Sequence, residues 1–418
     1  MIIQEKHSLG LVPITLSKLI ERISYYGMRT IILVYMTRTV LAFSHVDAVY
    51  VYGMLVLAAG LLPLVGGLLG DLVFGVRLAS IIGLAIQAAG CFILAIPSVS
   101  ALYTGLSLIS LGTGLYSPNI ISALGIIYRE KKKLMDAAMY ISYIIVNIGA
   151  FTGSFIMGAL ADDFSFSIAF IACGILPLIS MGIIIASDKS LAVLPKKANI
   201  YLSEQTTPVT MKIQWRILSI ILVLIALPLF WLMTGSGSNS LSQVCMNIEE
   251  QLHLYPFTML LGLVNPAVTI IIGIILSIVW TFVDLPSLLK LFIGFIIFSL
   301  ACFLSATIVS SAVSNSTVSF IVTTTALQAI AELFIAPVAL SYICQYGPVK
   351  FNSTLIAASS ALSYLFSAGT SFLIMYTKEI PYGFINCVFG IIMLLVAAIF
   401  LTFHLLTKEE KSKQEQTL

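Results

Sequence analysis

The chain has 418 residues, of which 59% are hydrophobic and only 9% are charged, with a formal net charge of +3. A soluble domain carries roughly 25% charged residues, so this chain lacks the polar surface that would keep it in water. The composition excludes a disordered protein, a nucleic-acid-binding module, a disulfide-stapled secreted scaffold and an ordinary cytosolic enzyme. It predicts a protein embedded in a lipid bilayer.

Twelve predominantly apolar segments are each long enough to cross a membrane as a helix, which takes about 20 residues. They lie near residues 11–37, 48–70, 77–96, 100–128, 137–161, 166–186, 216–246, 255–283, 288–312, 317–346, 352–376 and 382–406. The one long polar connection follows the sixth segment. The predicted fold is therefore an all-α polytopic membrane protein with twelve transmembrane helices in two six-helix halves.

The predicted division of the chain has four parts. Residues 1–186 form the N-terminal six-helix bundle, 187–215 a cytoplasmic linker, 216–407 the C-terminal six-helix bundle, and 408–418 a disordered cytoplasmic tail. Short loops on the cytoplasmic side of a membrane protein are enriched in Lys and Arg. With the N-terminus inside, sixteen Lys and Arg residues fall in inside segments and two in outside loops. We therefore expect an inner (plasma) membrane protein with both termini in the cytoplasm.

The first predicted span carries a charged and aromatic face. At 100° per residue, six side chains share an arc of about 140°: Lys18, Glu21, Arg22, Tyr25, Tyr26 and Arg29. Because charge inside a bilayer is costly and three cations face one carboxylate, we expect this face to line an aqueous cavity. The alternative is that Glu21 and Arg22 pair only to hold the bundle together.

Other spans carry single polar faces and residues that favour bending. Tyr143 and Asn147 share one side of the fifth span, and Gln328 and Glu332 share one side of the tenth. Gly- or Pro-containing stretches are predicted to interrupt four spans, at 112–119, 234–239, 265–266 and 336–337. Such breaks would allow the bending that alternating access requires.

Nothing in the pattern of reactive residues indicates an enzyme. The four histidines lie at helix ends or in loops, so they form no catalytic dyad or metal cluster. The six cysteines are scattered singly through apolar stretches and are expected to be buried thiols. No phosphate-binding loop is present, which excludes ATP as the energy source. We expect no metal and no cofactor other than an ion gradient.

Seven short motifs, in order along the chain, resemble those of the proton-dependent oligopeptide transporter family, a branch of the major facilitator superfamily. Residues 18–29 (KLIERISYYGMR) resemble the family's ExxER–YYGxR signature, and 66–77 (GGLLGDLVFGVR) resemble GGxxxD–GxR. Residues 112–119 (GTGLYSPN) and 142–149 (SYIIVNIG) are similar to GTGxxKPN and FYxxIN. The remaining matches are Phe230-Trp231, Asn265-Pro266 and 332–337 (ELFIAP).

The resemblance implies a monomeric carrier that moves small peptides inward with protons, driven by the proton gradient. Arg29 would bind the peptide carboxylate and Glu332 its ammonium group. Other residues implied in substrate binding are Tyr25, Tyr26, Asn119, Tyr143, Asn147 and Trp231. Glu21 and Arg22, together with Glu332, would form the proton-coupling cluster. Asp71 and Arg77 would act as a cytoplasmic gate latch.

Two departures from the family pattern bear on proton coupling. Lys18 stands where the family has the first glutamate of ExxER, and Ser117 stands where it has a lysine. Both ends of a carboxylate–lysine exchange are therefore absent. Lys18, on the same face as Glu21, could supply the ammonium group that Ser117 lacks.

Three functions fit the sequence. The first is proton-coupled symport of di- and tripeptides, with Glu21 and Glu332 as the titratable groups. The second is a carrier of the same fold for another small anion or zwitterion, such as nitrate or an amino acid, because Arg22 and Arg29 leave positive charge. The third is a membrane receptor that binds peptides without transporting them.

Overall fold

The computed structural model describes residues 6–38, 41–194, 212–252, 257–308, 315–376, 380 and 382–416. Within these ranges the chain forms twelve α-helices, one for each predicted span. They are α1 (Leu11–Arg38), α2 (His45–Leu69), α3 (Val76–Leu94), α4 (Val99–Tyr128), α5 (Lys132–Asp163), α6 (Phe166–Ala186), α7 (Ile213–Leu252), α8 (Phe257–Phe282), α9 (Ser287–Ile308), α10 (Asn315–Tyr346), α11 (Asn352–Tyr376) and α12 (Tyr382–Gln416).

Ten of the described helices, α2–α10 and α12, are long and apolar enough to cross a membrane. The other two, α1 and α11, do not reach the same hydropathy. Helix α1 carries the charges of its polar face, and α11 begins Asn-Ser-Thr and contains further serines. The membrane-embedded, all-helical character is thus confirmed, whereas the count of twelve spans stays a prediction.

The first of two compact units comprises residues 1–207 and 347–361. In this unit α1 packs against α5 and α6, α3 against α4 and α6, and α2 against α4. Glycines permit the closest approaches. A Cβ added at Gly66 of α2 would lie 2.1 Å from the Gly114 carbonyl oxygen of α4, and one at Gly153 of α5 would lie 2.2 Å from the Ile23 carbonyl oxygen of α1.

The second unit comprises residues 208–346 and 362–418. Here α9 packs against α10 and α12, and α10 also contacts α7 and α8. Aromatic rings fill the interior, with Phe295 stacked on Phe400 at a centroid distance of 5.4 Å. The division differs from the predicted boundary at residues 347–361, which group with the first unit because their backbone is bonded to α2, α4 and their connections, as described below.

Two predictions about helix continuity are wrong. All four stretches predicted as interruptions lie inside continuous helices, namely α4, α7, α8 and α10. In α4 the glycines serve packing, since a Cβ at Gly112 would lie 2.5 Å from the Gln87 backbone nitrogen of α3. The predicted disordered tail is helical to Gln416, because its Lys, Glu and Gln residues are good helix formers.

The clearest backbone irregularity among the described residues follows α2, where the sequence predicted none. A π-helical turn spans Gly70–Phe74 and ends at Gly75, whose φ is 80°. The Gly75 amide donates to the Gly70 carbonyl oxygen at 2.9 Å. Glycine alone adopts this φ at low cost, so Gly75 allows the chain to turn directly from α2 into α3.

Candidate functional site

The charged residues of α1 form a buried cluster in the first unit. Glu21 is fully buried and Arg22 is 9% exposed. The Arg22 guanidinium donates through Nε and Nη2 to the two carboxylate oxygens of Glu21, at 2.5 and 2.8 Å. Its Nη2 also donates to the Thr113 hydroxyl of α4 at 3.0 Å. The pair is bidentate, the strongest geometry for such an interaction.

Lys18 lies one turn before this pair and is also buried, at 7% exposed. Its ammonium group donates to the Ser142 hydroxyl of α5 at 2.7 Å. Close packing of α5 on α1 seals the cluster, since a Cβ at Gly149 would lie 2.7 Å from the Arg22 Cβ. The hydrogen bond of the Lys18 ammonium group is therefore made to α5.

The predicted cavity-lining face is only partly exposed. Lys18, Glu21 and Arg22 are buried, and so is Tyr25 at 3% exposed, whereas Tyr26 and Arg29 are half-buried. Glu21 and Arg22 are thus paired with each other and covered by the adjacent helices, and the cavity stays a prediction. The accessible part of this face is its second half, with Tyr26 and Arg29.

Around Arg29 the structure gathers tyrosine rings. The guanidinium carbon lies 5.8 Å from the Tyr25 ring centroid, 5.9 Å from that of Tyr26 and 5.5 Å from that of Tyr52. Arg29 Nη2 also donates to the Tyr52 hydroxyl at 2.8 Å. Cation–π contacts hold a guanidinium in place without neutralising it, so these rings fix the position of the Arg29 side chain on α1. Sequence reasoning missed Tyr52, an isolated tyrosine in an apolar span.

Polar residues predicted on α4 and α5 differ in their accessibility. Tyr143 and Asn147 are half-buried, and the Asn147 amide donates to the Tyr143 carbonyl oxygen at 3.2 Å. Asn119 is fully buried, and its amide donates to the carbonyl oxygens of Gly66 and Leu115. The Asn119 amide thus joins α4 to α2, and its place in the substrate site stays a prediction.

In the second unit Glu332 of α10 is 7% exposed and accepts a hydrogen bond from the Asn265 amide of α8 at 3.1 Å. The predicted Trp231 is half-buried on α7 and packs edge-on against Phe230 at 5.4 Å. Glu332 is therefore a buried carboxylate held by an amide from the Asn-Pro motif of α8.

A buried cation of the second unit was missed. The sequence counts Lys290, at the start of the predicted span 288–312, among the inside Lys and Arg residues, and in the structure it is 2% exposed, near the start of α9. Its ammonium nitrogen lies 4.0 Å above the Trp280 ring centroid of α8. Phe334 of α10 packs edge-on against the same tryptophan. An isolated lysine at the edge of an apolar span gives no sequence signal that distinguishes this place from a solvated loop.

The two residues of the predicted latch make separate contacts. The Asp71 carboxylate accepts from the backbone amides of Ser353 and Thr354, at 3.2 and 2.7 Å, and from the Thr354 hydroxyl at 2.7 Å. It thus caps the N-terminus of α11, where a negative charge is favoured. Arg77 pairs with Asp188 and donates to the Ile184 carbonyl oxygen at the end of α6.

Further contacts hold residues 347–361 against the first unit. Arg129 Nη2 donates to the Gly347 carbonyl oxygen at 3.2 Å, and the Asn352 amide donates to the Ser122 hydroxyl at 3.0 Å. A Cβ at Gly67 would lie 2.7 Å from the Ser353 carbonyl oxygen. The start of α11 is therefore bound by polar groups of α2 and α4.

Comparison with families of known proteins gives one extensive match. The sequence model described as Major Facilitator Superfamily matches residues 19–313. These residues include Glu21 and Arg22 of the α1 cluster and both residues of the predicted latch.

Among curated proteins, the chain is 33% identical over 210 residues to the "Uncharacterized transporter YclF" of Bacillus subtilis, covering 48% of this chain and 40% of the relative. It is 31% identical over 157 residues to the "Dipeptide and tripeptide permease B" of Aliivibrio fischeri, covering 37% and 32% of the two chains. The matched part thus spans less than half of each relative's length.

Solved structures match over nearly the whole chain. A POT family transporter in complex with 5-aminolevulinic acid covers 95% of this chain and 96% of its own, with a TM-score of 0.67 and 20% identity. The peptide transporter POT in complex with sulfate covers 96% of both chains, with a TM-score of 0.62 and 20% identity. At this identity the likeness shows the fold. Together with the sequence matches it confirms the resemblance to peptide transporters that the motifs indicate.

Proposed function

The chain belongs to the major facilitator superfamily, and on that premise we propose that it carries di- and tripeptides across the membrane together with protons, by alternating access. Curated relatives that match more than a third of its length are named dipeptide and tripeptide permeases. Solved structures of the same fold include peptide transporters. The family is one of transporters, not of enzymes.

The observation that carries the proposal is the arginine among tyrosine rings on α1. Arg29 is a half-buried arginine of the α1 face, and its contacts include the rings of Tyr25 and Tyr26 and the hydroxyl of Tyr52. A guanidinium binds a carboxylate in bidentate geometry. We assign the peptide's terminal carboxylate to Arg29.

A peptide is a zwitterion and also needs a fixed anion. Glu332 supplies a buried carboxylate in the second unit, and we assign the terminal ammonium group to it. Tyr143, Asn147 and Trp231 are the half-buried polar and aromatic residues expected to contact the peptide between its ends. Glu332 also serves, with Glu21 and Arg22, in the proposed proton coupling.

The proposed setting is an inner (plasma) membrane with both termini in the cytoplasm, twelve spans, a monomer and the proton gradient as the energy source. In this setting the cap that Asp71 places on α11 lies on the cytoplasmic side. We propose that Asp71 acts there as a gate latch, and that Arg77 supports it by holding α3 to the end of α6.

A carrier of another small anion or zwitterion is the second candidate. Helix α1 carries both Arg22 and Arg29, and a solved structure of the same fold is a complex with sulfate. The named peptide permeases favour peptides, and they also weigh against a receptor that does not transport.

The test is uptake of a labelled dipeptide into proteoliposomes, with competitors that lack one terminal charge. A dipeptide amide lacks the carboxylate and an N-acetyl dipeptide lacks the ammonium group. We expect both to compete poorly with the wild type. Arg29→Gln should remove the preference for the free carboxylate, and Glu332→Gln the preference for the free ammonium. Equal competition by nitrate and by dipeptide would contradict peptide transport.

A further inference from the structure

The α1 cluster holds one more positive charge than it can neutralise internally. Glu21 and Arg22 satisfy each other in a bidentate pair. Among the described residues, Lys18 has no carboxylate within ion-pair distance of 4.0 Å, and its hydrogen-bond partner is the neutral Ser142 hydroxyl. The buried triad Lys18–Glu21–Arg22 therefore has a net charge of +1 when all three groups are ionised.

Few other groups can compensate this charge. The titratable groups that act on Lys18 are Glu21 and Arg22 of its own helix. Helix α4 contributes the Thr113 and Tyr116 hydroxyls, and α5 contributes Ser142. Helix α6, which also packs against α1, contributes the Ser180 hydroxyl beside Ser17. All of these are neutral hydrogen-bonding groups, so with respect to the part of the chain that the structure describes, the cluster lowers its buried charge by a change of protonation.

We propose that Lys18 is the proton carrier of the first unit and takes over the role of the carboxylate that the chain lacks at this position. This inference rests on the proposed function, because it concerns the proton that accompanies the peptide. In the loaded state the ammonium group donates to Ser142 Oγ. On release one proton passes from Nζ to water. The neutral amine then accepts a hydrogen bond from the Ser142 hydroxyl group. Reloading returns a proton from water on the other side.

Lys18 is favoured over its neighbours by what each protonation change would leave behind. Arg22 does not deprotonate in proteins. Protonating Glu21 would break a bidentate pair and leave Arg22 as an uncompensated buried charge, which is strongly unfavourable. The part of Glu21 in the proposed coupling is therefore to keep Arg22 neutralised while Lys18 carries the proton. Deprotonating Lys18 removes the excess charge and leaves the Glu21–Arg22 pair intact. A hydroxyl can serve as acceptor or donor, so Ser142 remains bonded in both states.

The position of Ser142 links this proton to the peptide. The next residue on α5 is Tyr143, which we assign to the substrate. A change in the Lys18–Ser142 bond therefore acts on the α1–α5 contact beside the proposed substrate site. This contact is tight, as the glycines at 149 and 153 show.

The test compares Lys18→Arg and Lys18→Gln with the wild-type chain in proteoliposomes. Arginine keeps the charge but cannot release it, and glutamine keeps the polarity but cannot carry a proton. Two quantities are measured: exchange of labelled dipeptide at equal pH, which needs no net proton movement, and accumulation driven by an inward proton gradient. Lys132→Gln, at the exposed first residue of α5, is the matched control.

We expect both Lys18 variants to exchange dipeptide yet accumulate no more with the gradient than without it, while the control behaves as wild type. Gradient-driven accumulation at the wild-type level in either variant would overturn the proposal. If both variants lose exchange as well, Ser142→Ala decides: a shifted pH profile of accumulation supports the proposal, and an unchanged profile overturns it.

The outcome also separates this inference from the proposed function. A wild-type chain that neither exchanges nor accumulates dipeptide would contradict peptide transport itself. A wild-type chain that exchanges dipeptide but ignores the gradient would leave peptide transport standing and overturn proton coupling, and with it the role of Lys18.

Discussion

At the scale of single residues, buried charge is the feature that organises the first unit. Glu21 and Arg22 are adjacent in sequence and bind through two hydrogen bonds with no water-exposed oxygen on the carboxylate. A buried ion pair contributes little relative to apolar residues of the same size, but removing one partner leaves the other charge buried and unpaired.

Glu21→Gln should therefore destabilise the protein by about 3–5 kcal/mol, the cost of breaking a buried pair. The check is the melting temperature of the purified protein in detergent. Glu130→Gln, at an exposed glutamate in the α4–α5 connection, is the matched control and should melt as wild type. Equal melting of both variants would show that Glu21 does not compensate Arg22.

Some residue roles could be anticipated from the sequence and others could not. The pairing of Glu21 with Arg22 and the aromatic surroundings of Arg29 follow from helical spacing within one segment. The contacts of Tyr52 with Arg29 and of Lys290 with Trp280 join different helices. Spacing along one helix carries no information about such contacts.

At the scale of helices, small residues determine how closely neighbours pack. Gly66 faces the backbone of α4, whereas Gly53 on the same helix has no neighbouring atom within 4 Å of an added Cβ. The predicted interruption of α4 at Gly112 and Gly114 is absent because these glycines pack against α3 and α2 and do not interrupt their own helix. The composition of a segment does not distinguish a glycine that interrupts its own helix from one that allows a neighbouring helix to approach closely.

Gly66→Ala should separate α2 from α4 and lower stability, because the added methyl group would overlap a backbone carbonyl that cannot move freely. Gly53→Ala should leave stability unchanged or raise it by up to about 1 kcal/mol, since alanine is the better helix former. Melting temperatures of the two variants check the prediction. A Gly66→Ala variant as stable as Gly53→Ala would contradict the close packing.

The segment before α1 is tied to the end of α4 by a histidine. The Tyr128 hydroxyl lies 2.8 Å from His7 Nδ1 and accepts from the Ser8 amide at 3.2 Å. Burial, and then the nearby Lys131 charge, lower the pKa of His7 below its ordinary value of 6.5. A lowered histidine pKa means that protonation favours the detached segment, so attachment is complete above about pH 6.5 and weakens as the pH falls.

Hydrogen exchange at Ser8 and Gly10, corrected for the intrinsic pH dependence of exchange, should therefore quicken between about pH 7.5 and about pH 5.5, on either side of the ordinary histidine pKa. His7→Gln should remove this pH dependence, because glutamine does not titrate. Protection that is independent of pH in the wild type would show that His7 does not hold the segment.

At the scale of the whole molecule, hydropathy and the positive-inside pattern predicted one helix for each span and the long connection after the sixth. Long apolar runs between polar breaks leave few alternatives in lipid, so these features could be read directly. The grouping of residues 347–361 with the first unit could not be predicted in this way. It depends on hydrogen bonds that Asp71 and Arg129 make with residues more than 200 positions later in the sequence.

The central claim is that peptide and proton move together, and the most direct measurement is proton flux driven by peptide. A pH-sensitive dye is enclosed in proteoliposomes at equal pH on both sides, and unlabelled dipeptide is added outside. The account predicts that dipeptide acidifies the interior of wild-type liposomes and that Glu332→Gln abolishes the response, with nitrate giving none. Dipeptide uptake without acidification, or acidification by nitrate alone, would contradict it.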